Sequence, residues 1–111
     1  MELHSVDFRT IIEWLRNKGV RIRVETLGGQ SFISCEHVND RTILIIGSSG
    51  AYKTTGVRFW NAVCRRMDSL SAENRQKAAK YSDTEGWNNP DYRFAPSVPA
   101  ICKVYLSENN G

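Results

Sequence analysis

Histidine is scarce in this chain, cysteine is few and widely spaced, and no apolar run approaches the roughly 20 residues of a membrane helix. Each shortage excludes something. The two histidines, His4 and His37, leave little material for acid–base or metal chemistry. The three cysteines, Cys35, Cys64 and Cys102, are odd in number and far apart, so they fit neither a disulfide scaffold nor a zinc site built on close pairs. All three stand in segments that carry apolar residues, which predicts buried free thiols in a reducing compartment. The first residues show no basic-then-apolar leader. No internal repeat and no linker divides the 111 residues. The expectation is a single cytoplasmic domain, residues 1–111, with no membrane partner.

What is present is ordinary in amount and uneven in placement. Lysine and arginine number 15 against 12 acids, a net charge of +3. Residues 1–30 hold five basic and four acidic side chains. Between Lys53 and Lys80 there are seven basic residues (Lys53, Arg58, Arg65, Arg66, Arg75, Lys77, Lys80) and two acids, Asp68 and Glu73. That local excess is the one charge asymmetry a polyanion could use. The competing reading is a solvated helix face.

Hydropathy periods lay out the elements. Phe8, Ile11, Ile12 and Leu15 recur at helical spacing after Ser5, a residue that can cap, and Gly19 supplies a stop. From Val20 the period falls to two, with Val20, Ile22 and Val24 alternating with Arg21, Arg23 and Glu25. Gly28-Gly29 turns the chain into Ser31–Cys35, and Asn39-Asp40 turns it again. Residues 42–46, Thr-Ile-Leu-Ile-Ile, lack alternation, which predicts a central strand covered on both faces, by helices or by a second copy of the chain. Tyr52–Val57 returns as a fourth strand. Phe59, Trp60, Val63, Cys64, Met67 and Leu70 mark an amphipathic helix, Ser71 caps another reaching about Tyr81, and Ser97 caps a last one with Pro99 in its first turn. Trp14 and Trp60 are expected in or at the edge of the core. The fold class is therefore α+β: an N-terminal helix, an antiparallel meander of three or four strands, then two or three helices.

The chemistry-bearing motifs are thin. Residues 43–54 run from an apolar strand through Gly47-Ser48-Ser49-Gly50-Ala51-Tyr52-Lys53-Thr54, which resembles the P-loop of nucleoside triphosphatases. Gly47, Lys53 and Thr54 match, but Tyr52 stands where that pattern needs its second glycine, and a hairpin turn accounts for Ser48-Ser49-Gly50 without any nucleotide. Cys35 and His37 are two residues apart, with Cys64, Cys102 and His4 as remote ligands, a spacing that does not announce zinc. Asp83, Glu85, Asp91 and His37 are the acids and base an enzyme would use, yet no triad or paired-acid spacing links them. No catalytic residue, metal or cofactor is assigned, and a non-enzymatic role is favoured.

The favoured role is binding. Arg58 and Arg65 are seven residues apart and Lys77 and Lys80 three, so each pair shares a helix face. With Arg66, and with Lys53 and Tyr52 in the preceding turn region, they form a candidate surface for non-specific nucleic-acid binding, Tyr52 stacking on a base. The alternative is a small interaction module, homodimeric through its sheet face or acting through loop 85–99, where Trp87, Tyr92 and Phe94 lie among Gly, Asn and Pro. Those aromatics would otherwise anchor the loop on the core.

Overall fold

In the computed structural model of this protein, residues 3–82 and 93–109 are described. Helix α1, Phe8–Lys18, is followed by strands β1 (Ile22–Glu25), β2 (Phe32–Asn39), β3 (Thr42–Ile46) and β4 (Tyr52–Thr55). Helix α2, Val57–Ser69, comes next, then a single 3-10 turn at Asn74–Gln76, the short α3 (Ala78–Ser82) and α4, Ser97–Asn109. The strands pair antiparallel in the order β1-β2-β3-β4, a meander. This is the α+β architecture that the periods predict.

Local chemistry sets the boundaries. The cap of α1 is Asp7, whose carboxylate accepts the Arg9 N–H, rather than Ser5. The Ser5 hydroxyl is engaged elsewhere, donating to Asp68 at 3.2 Å. Gly19 ends the helix at φ 69°, a left-handed conformation that costs glycine little, and returns its N–H to Leu15. At the β2–β3 turn, Asn39 Oδ1 accepts from the Arg41 N–H at 2.8 Å and the Thr42 hydroxyl at 2.9 Å. The helix expected after Ser71 is broken in two, because Lys77 lies in extended backbone between the 3-10 turn and α3.

Registry explains where the core sits. Ile22 faces Cys35, Val24 faces Ile33, Cys35 faces Ile45 and Ile43 faces Thr55. Paired residues share a sheet face, and among the described residues every buried strand side chain lies on this one: Val24, Ile33, Cys35, Ile43, Ile45 and Thr55. Phe8, Ile11, Ile12 and Leu15 of α1, Trp60, Val63 and Met67 of α2, and the whole first half of α4 complete the cluster. Trp60 is fully buried, and Trp14 is at the edge, stacked edge-on with Tyr105 at 5.5 Å. The segment before α1 straps across α2: the Val6 carbonyl accepts the Trp60 indole N–H at 2.8 Å, and Leu3 is buried.

The β3 run differs from its sequence reading. Its residues alternate in burial, with Ile43 and Ile45 in the core and Leu44 and Ile46 half-buried on the opposite face. Apolar character on both sides of a strand does not by itself bring a second covering layer. That opposite face also carries Phe32 and Tyr52, 42% and 70% exposed.

Candidate nucleic-acid interface

The cations of residues 53–80 are organised by α2. Its buried stripe, Trp60, Val63 and Met67, turns Arg58 and Arg65 outward on the opposite side, about two turns or 10.5 Å apart along the axis. Both are exposed, and neither has an ion pair among the described residues. Arg66 lies on the flank, half-buried, donating Nε–H to the Lys80 carbonyl at 3.5 Å and joining α2 to α3. About two turns back on the same flank, Lys53 Nζ sits over the Phe59 ring at 4.6 Å. Asp68, the acid of this helix, lies on the other flank, where Ser5 holds it.

Not every predicted member joins this surface. Lys77 is paired with Glu73 at 3.9 Å, both exposed. Tyr52 and Lys53 alternate across β4, so Tyr52 is on the open sheet face while Lys53 is on the α2 side. Arg75 serves the backbone, donating Nε–H to the Leu70 carbonyl at 3.1 Å, and its own carbonyl accepts the Tyr81 hydroxyl at 2.8 Å. Burial pushes the Tyr81 phenol up to about 12. Of the loop aromatics, Phe94 is 4% exposed and belongs to the core, with Arg93 over its ring at 5.2 Å. Trp87 and Tyr92 lie outside the described residues, as do Asp83, Glu85 and Asp91.

Two arginines escaped the sequence reading. Arg9 and Arg41 line a hollow at the start of α2 with Val57, and Asp7 and Asp40 border the same hollow. The signal was available in the meander register. Ile43 opposite Thr55 carries Arg41 toward Val57 as the strands are extended.

The remaining candidates separate in space. Among the described residues no three His, Cys, Asp or Glu side chains converge. Cys35 is buried in the sheet, and desolvation, reinforced by the Glu36 carboxylate, pushes its thiol up to about 12. His37 lines a small hollow beside Gly19 and Val20, its Nε2 without a partner among the described residues. The P-loop-like segment is a tight hairpin turn: Gly47 N–H donates to Ala51 at 2.7 Å and Gly50 N–H to Gly47 at 3.0 Å. It leads into β4 instead of a helix, and its lysine lies over Phe59. Ser48 and Ser49 border a cleft of about 370 Å³ with Arg93 and Ser97. Neither protein-family models, nor curated proteins, nor solved structures give a match to this chain.

Proposed function

We propose that this protein binds nucleic acid without sequence preference, the outer face of α2 following the phosphate backbone. The observation that carries this reading is the pair Arg58 and Arg65, outward, exposed and free of carboxylate partners among the described residues. Their axial separation of about 10.5 Å spans about three nucleotides at roughly 3.4 Å per nucleotide. Lys53 and Arg66 extend the positive field along the adjoining flank, where the Lys80 backbone carbonyl holds Arg66. Backbone contacts of this kind position a protein on a duplex or strand and carry no sequence information.

The test is fluorescence anisotropy with a labelled oligonucleotide over a salt series. Affinity should fall steeply between roughly 50 and 200 mM salt. The double variant Arg58→Glu/Arg65→Glu should weaken binding at least about tenfold and flatten the salt slope by about two. Absence of binding at low salt ends the proposal.

A second reading has its own observation. Phe32, Leu44, Ile46 and Tyr52 share the open sheet face, an apolar surface that a second copy of the chain could bury. Sedimentation over a concentration series decides it. A monomer at all concentrations removes this alternative.

A further inference from the structure

A meander brings its first and third turns to one end of the sheet. Here those are the β1–β2 turn, where the Thr26 N–H donates to the Ser31 carbonyl at 3.0 Å, and the turn over residues 47–51. The segment entering α4 is anchored in the core by Phe94, and with the two turns it borders the cleft of about 370 Å³. Small-molecule sites run from roughly 300 to 1,000 Å³. The lining is of two kinds. Leu27, Ile33 and Phe94 give an apolar wall, Ser48, Ser97 and Arg93 give polar groups, and among the described residues no acid lines it.

Two of these polar groups have no hydrogen-bond partner among the described residues. Ser97 has the chemistry of a cap for α4, but the first turn leaves its hydroxyl nothing to cap. Pro99 lacks an N–H, the Ala100 N–H donates to the Pro96 carbonyl at 3.3 Å, and the Val98 N–H donates to Ala95 at 3.2 Å. Ser97 is 7% exposed, and its unengaged hydroxyl lies at the cleft. A hydroxyl so placed costs stability unless a molecule in the cleft bonds to it. Arg93 lines the same cleft, 5.2 Å from the Phe94 ring, exposed and without a carboxylate partner among the described residues.

We propose that this cleft binds a small organic anion, a molecule with one carboxylate or phosphate group and one apolar end. Arg93 donates charge-assisted hydrogen bonds to the anionic group, and the Ser97 hydroxyl donates to the same group from the buried side. Ser48 meets it at the rim. The apolar end packs on Leu27, Ile33 and Phe94, where burial out of water favours it. None of these residues belongs to α2, so the site is independent of the helix face proposed to follow phosphates.

Titration of the full chain with benzoate and with phenyl phosphate, at constant ionic strength and followed in amide NMR spectra, provides the test. The amides of Ser48 and Ser97 should shift together and saturate, while those of Arg58 and Arg65 stay in place. Whichever anion binds more tightly identifies the head group. Benzyl alcohol, which has no charge, and inorganic phosphate, which has no apolar end, should each bind at least about tenfold more weakly. Arg93→Gln should weaken binding about tenfold. Ser97→Ala should weaken it roughly threefold to tenfold and leave the thermal midpoint unchanged or higher, because the hydroxyl removed has no partner in the free protein. No saturable shift with either anion, shifts centred on Arg58 and Arg65, equal binding of benzyl alcohol, or a Ser97→Ala variant that loses stability and keeps its affinity would overturn the proposal.

Discussion

Helices α1 and α2 both present arginines to solvent, and they treat them differently. Around α1 three of the four cations are matched, and Arg9 is the one without an ion pair among the described residues. Arg16 pairs with Glu13 at 3.6 Å, Lys18 pairs with Glu108 and lies over Trp14, and Arg21 in the following turn reaches Glu36 at 2.7 Å. On α2, Arg58 and Arg65 have no such partners among the described residues. Counting basic residues therefore says little. What separates a solvated face from a surface able to take on phosphates is whether carboxylates already neutralise it.

The comparison can be tested from the inside out. The largest effect is expected at the inner faces: Trp60→Ala should cost about 3–5 kcal/mol in a denaturant titration, because it empties a fully buried site. Trp14→Ala, at the core edge, should cost about half as much. Equal losses would mean that the two helices are anchored alike. Next comes pH. Beneath α1, Cys35 binds its proton more tightly folded than unfolded, so stability is full below about 9 and declines as pH rises toward about 12. The decline amounts to about 4 kcal/mol in order of magnitude. Alkaline unfolding curves of Cys35→Ala should be flatter in that window, and an unchanged slope would contradict the assignment.

The outer faces give smaller effects. Arg58→Glu/Arg65→Glu should lower oligonucleotide affinity by about 1.4 kcal/mol or more, whereas Arg16→Glu/Arg21→Glu, with the same change in charge, should lower it far less. Similar losses would show that net charge alone drives binding. The smallest effect is on α1 itself. Glu13→Gln removes an exposed pair with its three-residue spacing and should cost about 0.3 kcal/mol in thermal unfolding.

Much of the architecture was legible because its signals are local. The stripe Phe8, Ile11, Ile12, Leu15 and the stop at Gly19 need no tertiary information, nor do the turns at Gly29 and Gly50, both in left-handed backbone. The misreadings came from distant partners. Ser5 has the chemistry of a cap, but Asp68, 63 residues away, takes its hydroxyl. The single helix expected over residues 71–81 gives way to two pieces, with Tyr81 buried and bonded back to Arg75. At the candidate site, the shared face of Arg58 and Arg65 was readable from spacing alone. That Tyr52 and Lys53 part company is readable too, from alternation along the strand expected over Tyr52–Val57. The engagement of Lys77 by Glu73, and that of Cys64 by the Val6 carbonyl, depend on rotamers and packing that no spacing rule contains.

The strap before α1 supplies a probe of its own. Because the Trp60 indole proton is handed to Val6, any event that peels the leading segment away frees that proton to water. Its resonance should shift and exchange quickly while the rest of the interior is still intact. One nitrogen in a two-dimensional spectrum thus reports on the docking of the chain's entry, separately from global unfolding.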